Sequence, residues 1–452
     1  MPLISTIYRP LLALALPLIF IQLCQASLGL IDTMIAGQFH YNDLSGVGLG
    51  SSMWTPVFIF FTGIMYVLVP KTSELVASHK RGEIYRLFLQ GKKAAFWLAI
   101  VGFLLVQLLA FLAPWMIADA AVATICKNYL HCVAFAMPSL VYTLLYRFIS
   151  EGDSTLLPIV KTVIFLLVIN TLLNLVLVFG VAGMAGLGGA GCGVATAISA
   201  YIAFLMMRNW VQKSVPEISQ KAPLKSCDND AKKILKDGFP IGVALVVEVL
   251  ALTTLAFFAS SLGVKQVAAH QIAINIAMVA FMIPLALSSA TTIRIASLPN
   301  AADYLSRRLT AKAAISLAFL YGVIAALVIM TFGQLILHAF SHDEKVLMLA
   351  SGLLLYIALF QLFDAIQIVA AGILRGLQEF MSPLLVILVV YWFAVVPFSY
   401  FVVNYGWWGG SAGVDNIWLL LSTGLALAAL VLSINSFRIV NKKVDLFVAS
   451  EA

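Results

Sequence analysis

The sequence contains few charged residues. Only 10% of its 452 residues are Asp, Glu, Lys or Arg, while 62% are hydrophobic, whereas about a quarter of a soluble domain is charged. A water-soluble globule of this size would lack the polar residues needed to cover its apolar surface. The composition therefore excludes a soluble fold and indicates an integral membrane protein.

The sequence also lacks several motifs that carry chemistry. Its five cysteines show no CxxC or Cys/His spacing, so we expect neither a disulfide nor a structural metal site. HExxH, GxSxG and paired intramembrane histidines are absent, which argues against a membrane-embedded enzyme, and we expect no cofactor. The N-terminus does not resemble a cleaved secretory signal, so we interpret it as part of a retained helix. The cysteines are Cys24, Cys126, Cys132, Cys192 and Cys227.

What the sequence does contain is a succession of long apolar stretches. A window of about nineteen residues predicts twelve transmembrane helices, and hence an all-α membrane fold with both termini on the same side. The predicted spans are 9–36, 47–75, 94–118, 123–147, 158–181, 188–210, 238–262, 268–297, 310–338, 345–374, 383–404 and 414–437.

Basic residues predict the orientation of these spans. Twenty-one Lys and Arg residues lie in or beside the segments on the side of the termini, against three on the opposite side, Lys127, Lys265 and Lys345. Because basic loops remain in the cytoplasm, both termini are predicted to be cytoplasmic. The formal charge of +7 is then a consequence of topology, and we expect no nucleic-acid partner.

The chain divides into two halves of six helices. The longest polar stretch, residues 209–237, carries two prolines and many charges, as a cytoplasmic linker would. The predicted domains are an N-terminal six-helix bundle (1–210), a cytoplasmic linker (211–237), a C-terminal six-helix bundle (238–440) and a cytoplasmic tail (441–452).

The halves share sparse matches at a nearly constant offset. An even number of helices gives both halves the same orientation, as parallel repeats require, and such a pair encloses a central cleft. The matches are Pro17 with Pro240, Lys71 with Arg294, Gly152 with Gly376, and Pro158 with Pro383, at offsets of 223, 223, 224 and 225.

Three acids lie inside the apolar spans: Asp32, Glu248 and Asp364. An ionised carboxylate at membrane depth costs at least about 2.5–3.5 kcal/mol, so such residues usually face a bundle interior or an aqueous cavity. A structural ion pair is the simpler interpretation, but no Lys or Arg lies at the same depth. At 1.5 Å per residue, Glu248 and Asp364 lie roughly 15–16 Å from the inner ends of their helices, whereas Asp32 lies near the outer end of the first helix.

The repeat does not duplicate these charges, which indicates that a cation site is concentrated in the second half. Two neighbouring carboxylates in a poorly solvated cavity can hold a proton or Na⁺, because either ion neutralises the pair. If neutralisation favours one orientation of the halves, an inward ion gradient can drive an outward substrate. The equivalents of Glu248, Asp32 and Asp364 in the other half are Gln25, Leu255 and Leu140.

Other polar and aromatic residues in the spans are candidates for lining a substrate cavity. Aromatic rings can stack on a cationic or aromatic substrate, and amides can contact it or orient an acid. Each residue also has a simpler interpretation as a packing residue or an interhelical hydrogen bond. The candidates are Gln25, Asn170 and Asn174 in the first half, and Phe281, Tyr356, Phe360, Gln361 and Gln367 in the second.

Two further features have plain structural interpretations. The run GLGGAG at residues 186–191 fits GxGxxG but follows no strand, so we interpret it as a turn with close helix packing rather than a nucleotide site. His270 stands alone on the eighth span, and we interpret it as a hydrogen-bonded packing residue rather than a proton relay.

Several runs of the sequence resemble the multidrug and toxic compound extrusion (MATE) family, in its bacterial NorM-type branch. They are ALPLIFIQLCQASLGLIDTMIAG, GLGGAGCGVATAISAY and FDAIQIVAAGILRGLQEF, with EGDSTLLP after the fourth helix. The resemblance implies a V-shaped pair of pseudo-symmetric six-helix bundles in the bacterial inner membrane, which exports cationic, aromatic or amphiphilic drugs in exchange for Na⁺ or H⁺. We expect a monomer in the lipid bilayer.

The resemblance also implies roles for individual residues. Glu248 and Asp364 match the second-half cation-binding carboxylates, where Na⁺ would bind transiently, and Asp32 matches the first-half acid. Phe281 matches a cavity aromatic. One turn before Asp364, where some relatives have a tyrosine, this chain has Phe360, which removes a hydroxyl ligand for Na⁺.

The main alternative is a flippase for lipid-linked saccharides, which the same superfamily contains. Such a protein should have a basic cavity and often extra helices, whereas this sequence predicts an acidic cavity and twelve helices. A passive channel fits less well, because a duplicated scaffold with asymmetric charge suits rocking between two states.

Overall fold

The computed structural model describes residues 2–180, 186–219, 230–300, 303–341, 343–406 and 413–451. In these ranges twelve helices are long and apolar enough to cross a membrane, which confirms the predicted fold class and helix number. Cys227 and residues 220–229 of the predicted linker lie outside the described residues. The helices α1 to α12 are Ile7–Phe39, Tyr41–Ala77, Arg81–Met116, Ala120–Gly152, Leu157–Phe179, Gly189–Ser214, Ala231–Ser261, Val264–Ala296, Tyr304–Phe340, Glu344–Gly376, Met381–Tyr405 and Val414–Asn441.

Several helices extend beyond the predicted apolar spans at their inner ends. α3 begins at Arg81 rather than near residue 94, and α4 ends at Gly152 rather than near residue 147. A hydropathy window recognises only the part of a helix in the hydrocarbon core, whereas the backbone hydrogen bonds continue into the polar layer. One basic residue, Arg147, therefore lies within α4 and not in the loop after it.

The chain forms two compact units. The first, which we name the N unit, is Phe20–Gly242, and the second, the C unit, is Met1–Ile19 with Val243–Ala452. The two boundaries fall after residues 19 and 242, which are 223 positions apart, the offset of the sequence repeat. α1 and α7 are therefore equivalent helices, each divided between the two units two residues after a proline, Pro17 or Pro240.

The same packing pattern recurs in both units. In the N unit α4 is central and packs on α2, α3 and α6; in the C unit the equivalent helix, α10, packs on α8, α9 and α12. A Cβ added to Gly152 would lie 2.6 Å from the carbonyl oxygen of Val69, and one added to Gly376 would lie 2.8 Å from that of Thr292. Val69 and Thr292 are again 223 positions apart, so the repeat conserves close helix contacts as well as helix order.

The ends of these two central helices also match. Ser154 and Gln378 both adopt a left-handed backbone, with φ of 64° and 59°. Just beyond them, the backbone N–H of Thr155 donates to the carbonyl oxygen of Ser150, and that of Glu379 donates to the carbonyl oxygen of Leu374, both at 2.9 Å. Such bonds close the last turn of a helix. A left-handed residue other than glycine is uncommon, so its occurrence at equivalent positions supports the duplication.

The glycine run before α6 forms a turn with close packing, as predicted. Gly188 has a φ of 56°, which favours glycine. A Cβ on Gly191 would lie 2.7 Å from the carbonyl oxygen of Leu177 on α5. Asp43 Oδ1 accepts a hydrogen bond from the backbone N–H of Gly189 at 2.5 Å and so caps the start of α6.

We predict that Gly372→Ala destabilises the protein. A Cβ there would lie 2.7 Å from the carbonyl oxygen of Ser288 on α8, and overpacking of this kind costs about 1–3 kcal/mol. Gly352 lies on the same helix, α10, with no atom within 4 Å of an added Cβ, so Gly352→Ala is a matched control. The thermal unfolding midpoint in detergent should fall for Gly372→Ala only. Equal midpoints would contradict tight packing of α8 on α10.

Candidate functional site

In the N unit, Asp32 of α1 lies beside hydrogen-bond donors from α5 and α6. Asn174 Nδ2 donates to Asp32 Oδ1 at 2.6 Å, and Thr196 Oγ1 lies 3.5 Å from Oδ2. Asn174 Nδ2 is also 3.0 Å from Asn170 Oδ1, and Asn170 Nδ2 donates to Ser199 Oγ at 3.3 Å. The two predicted asparagines thus make interhelical hydrogen bonds, and one of them contacts the acid directly.

These donors stabilise the charge of Asp32 without an ion pair. The ion pairs between described residues do not include Asp32. A hydrogen bond to a charged group contributes about 1.5–3 kcal/mol, which is comparable with the insertion cost of an ionised acid. Asp32 is half-buried.

Gln25, the repeat equivalent of Glu248, contacts a basic residue. Arg147 Nη1 on α4 donates to Gln25 Oε1 at 3.0 Å, and Arg147 Nε lies 3.5 Å from Glu151 Oε2. The N unit therefore places a neutral amide and a cation where the C unit places an acid. Because Arg147 is itself paired with Glu151, this position carries no unpaired acid, which gives the charge asymmetry of the repeat a structural counterpart.

In the C unit, Glu248 of α7 lies close enough to Asp364 of α10 for its charge to act on that acid. Asp364 is buried, with 2% of its surface exposed, and Glu248 is half-buried. The charge of Arg375 also acts on Glu248, but the ion pairs of the described residues include neither acid. The phenol of Tyr391 on α11 donates to Glu248 Oε1 at 3.4 Å.

Two amides flank Asp364 on α10. Gln361 and Gln367 are fully buried. Gln361 Nε2 donates to the carbonyl oxygen of Ala277 at 2.9 Å, which fixes the direction of its Oε1. Gln361 Oε1, Asp364 Oδ2 and both amide atoms of Gln367 have no hydrogen-bond partner among the described residues. Because an unpaired buried polar group costs about 1–3 kcal/mol, this side of α10 suits a polar or cationic ligand.

The predicted aromatic residues have different environments. Phe360 is buried, and its ring meets that of Trp418 edge-on, with centroids 5.5 Å apart. Trp418 Nε1 donates to His270 Nδ1 at 3.2 Å, so His270 makes a packing hydrogen bond, as expected. Phe281 and Tyr356 are half-buried and remain accessible for stacking.

The chain matches a known family over most of its length. A profile of the MatE family matches residues 17–176 and 240–401, once in each half, with starting points 223 residues apart. The chain belongs to the MatE family. The multidrug resistance protein MdtK of Yersinia enterocolitica is 30% identical over 452 residues, 98% of each chain. The probable multidrug resistance protein NorM of Acinetobacter baylyi is 32% identical over 435 residues, 95% of this chain and 96% of its own.

Solved structures with low sequence identity share the MATE fold. The eukaryotic MATE transporter AtDTX14 superposes with a TM-score of 0.86 at 16% identity, covering 98% of this chain and 99% of its own. A MOP superfamily transporter from Pyrococcus furiosus superposes with a TM-score of 0.85 at 16% identity, covering 96% of each chain. These similarities and the family match confirm the resemblance inferred from the sequence.

The sequence pattern did not identify Tyr391 and Thr196, which lie beside candidate acids of this MATE protein, or Arg147, which contacts Gln25. Tyr391 lies in the apolar run VVYWFAV, and its position far from Glu248 in the chain gave no signal of contact. Thr196 is one of many hydroxyl-bearing residues in the apolar spans, so nothing in the sequence distinguished it. Arg147 was counted with the inner basic residues because the predicted span 123–147 ended at it.

We predict that Asn174→Ala destabilises this MATE protein through Asp32. The change removes the 2.6 Å hydrogen bond and should cost about 1.5–3 kcal/mol. Thr171→Ala, on the same helix, is the control, because Thr171 Oγ1 bonds only the carbonyl oxygen of Leu167 in its own helix. Thermal unfolding of both variants, alone and with Asp32→Asn, forms a double-mutant cycle. A cost for Asn174→Ala that is the same in both backgrounds would disprove the link to Asp32.

Proposed function

We propose that this MATE-family protein is an antiporter that exports cationic, aromatic or amphiphilic drugs in exchange for inward Na⁺ or H⁺. The observation that carries the proposal is the presence of two neighbouring acids, Glu248 and Asp364, inside the C unit, with neither in an ion pair of the described residues. Their positions along α7 and α10 place them at membrane depth, where an acid without an ion-paired base usually marks an ion pathway. The names of the relatives MdtK and NorM support the assignment of drugs as the exported substrates.

Exchange of the drug for the coupling ion results from competition between the two for the negative charge of the acid pair. Two like charges in a poorly solvated site repel each other, and one proton or one Na⁺ relieves that repulsion. A cationic drug relieves it as well. The drug and the coupling ion then compete for the same negative charge, so binding of one favours release of the other, as antiport requires.

In this proposal the role of each candidate cavity residue depends on how exposed its side chain is. Phe281 and Tyr356 are half-buried and stack on the drug. Gln361 and Gln367 present amide atoms beside Asp364 and bind polar groups of the drug or the ion. Phe360, held against Trp418, shapes the wall. In the N unit, Asp32, Asn170, Asn174 and Gln25 form a second polar region.

The proposed location is the inner membrane of a bacterium, with both termini in the cytoplasm and a monomer as the transporting unit. The excess of basic residues in loops on the side of the termini supports this orientation. Bacterial relatives that match along almost their whole length support the membrane.

We predict that green fluorescent protein fused to the C-terminus fluoresces, because it folds in the cytoplasm, and that alkaline phosphatase fused there is inactive. Alkaline phosphatase inserted between α9 and α10 should be active, since that loop faces the opposite side. Colony fluorescence and phosphatase activity measure both. The reverse pattern would place the termini outside.

We predict that Glu248→Gln and Asp364→Asn each lower ion-driven drug efflux by about tenfold or more, because the differential affinity of the site for the ion drives the exchange. The assay is efflux from proteoliposomes under an imposed Na⁺ or H⁺ gradient. Glu344→Gln is the matched control, since Glu344 is an exposed acid at the start of the same helix, α10. Undiminished efflux in both site variants would refute the proposed coupling pair.

A further inference from the structure

α11 contains an irregular turn beside the acid pair. Residues Val389–Val395 form a π-helix, in which the backbone bonds reach one residue further than in an α-helix. Single π turns are rare inside α-helices and are frequent at functional sites. This turn carries Tyr391, which is 1% exposed, and Trp392.

The π turn directs two consecutive side chains at α7. Tyr391 donates to Glu248 Oε1 at 3.4 Å, and Trp392 Nε1 donates to the carbonyl oxygen of Val247 at 3.0 Å. In a regular α-helix consecutive side chains point about 100° apart. The wider π turn narrows that angle, so neighbouring residues can both reach one neighbouring helix. The irregular turn therefore binds α7 at the acid and at the residue before it.

We propose that Tyr391 is the positioning residue of the ion site: its hydroxyl holds Oε1 of Glu248 in one place and leaves Oε2 to the coupling ion. This rests on the proposed function. The charged or titratable groups that interact with Glu248 among the described residues are Arg375 and Asp364 on α10 and Tyr391 on α11, and of these Asp364 is the one on which the charge of Glu248 acts. Tyr391 differs from the other two in that the next residue, Trp392, also donates a hydrogen bond to α7.

Tyr391 provides a hydroxyl near the acid pair, where Phe360 provides none. Phe360 has no hydroxyl to offer one turn before Asp364, and its ring is engaged with Trp418. Tyr391 supplies a hydroxyl to the acid pair from a different helix. A hydroxyl that donates to a carboxylate stabilises its ionised form and restricts its rotation.

The test is Tyr391→Phe, which keeps the ring and removes the hydroxyl. Tyr400→Phe is the matched control on α11, because Tyr400 is exposed and packs only its ring on Phe258. The half-saturating concentration of the coupling ion should change by about fivefold, the equivalent of roughly 1 kcal/mol. It should rise if Na⁺ drives efflux, because the site is less ordered, and fall if H⁺ does, because the ionised carboxylate loses a donor.

Two further measurements separate this role from a purely structural one. They are the half-saturating drug concentration at saturating ion and the thermal unfolding midpoint. Both should stay near the parent values in Tyr391→Phe. An unchanged ion dependence would overturn the proposal, as would equal shifts in ion and drug dependence. If Tyr391→Phe fails to fold, Tyr391→Leu is used instead, and its ion binding and unfolding midpoint are measured. Ion binding by Tyr391→Leu equal to that of the parent would overturn the proposal. If Glu248→Gln leaves ion-driven efflux unchanged, the proposed function is refuted, whatever the result for Tyr391→Phe.

Discussion

The rest of the structure depends on one constraint, the placing of carboxylates among apolar helices without a base to pair with them. The protein meets it in two ways. Asp32 receives hydrogen bonds from Asn174 and lies near Thr196, so neutral donors stabilise its charge. Glu248 and Asp364 instead lie near each other in one unit, and the ion pairs of the described residues include neither of them. The N unit thus surrounds one acid with neutral donors, whereas the C unit brings two acids together with one phenol donor, Tyr391.

The duplicated scaffold makes this difference possible. Contacts that hold the helices together recur at a fixed offset: the close approach of Gly152 to Val69 in one unit is that of Gly376 to Thr292 in the other. Polar contacts at helix starts recur as well, since Asp119 caps α4 and Asp343 caps α10 in the same way. The polar contacts of Gln25 and Glu248 do not recur. Gln25 accepts from Arg147, while its equivalent, Glu248, accepts from Tyr391. Packing is set by small residues and backbone atoms, so polar side chains could diverge without altering the bundle.

The sequence predicted the parts of this protein that depend on local pattern. Apolar length gave twelve helices, the offset of 223 gave two equivalent halves, and three acids inside apolar spans gave the candidate site. It did not predict which helices meet at each acid. Tyr391 follows Glu248 by 143 positions. Its contact with Glu248 is made from a π turn, which the residue pattern VVYWFAV does not predict. Phe360 was a cavity candidate because it is one turn from Asp364, but the direction of its ring depends on Trp418, in another helix.

The choice between Na⁺ and H⁺ depends on how many oxygen atoms the site offers at once. A proton needs one carboxylate oxygen, whereas a hard metal cation gains from several oxygen ligands together. The absence of a hydroxyl at Phe360 argues against Na⁺ only if no other oxygen takes its place. Tyr391 brings a hydroxyl to Glu248, and Gln361 and Gln367 hold amide oxygens on the helix of Asp364. The sequence had already indicated both amides, and the structure adds one oxygen atom, the hydroxyl of Tyr391, beside Glu248.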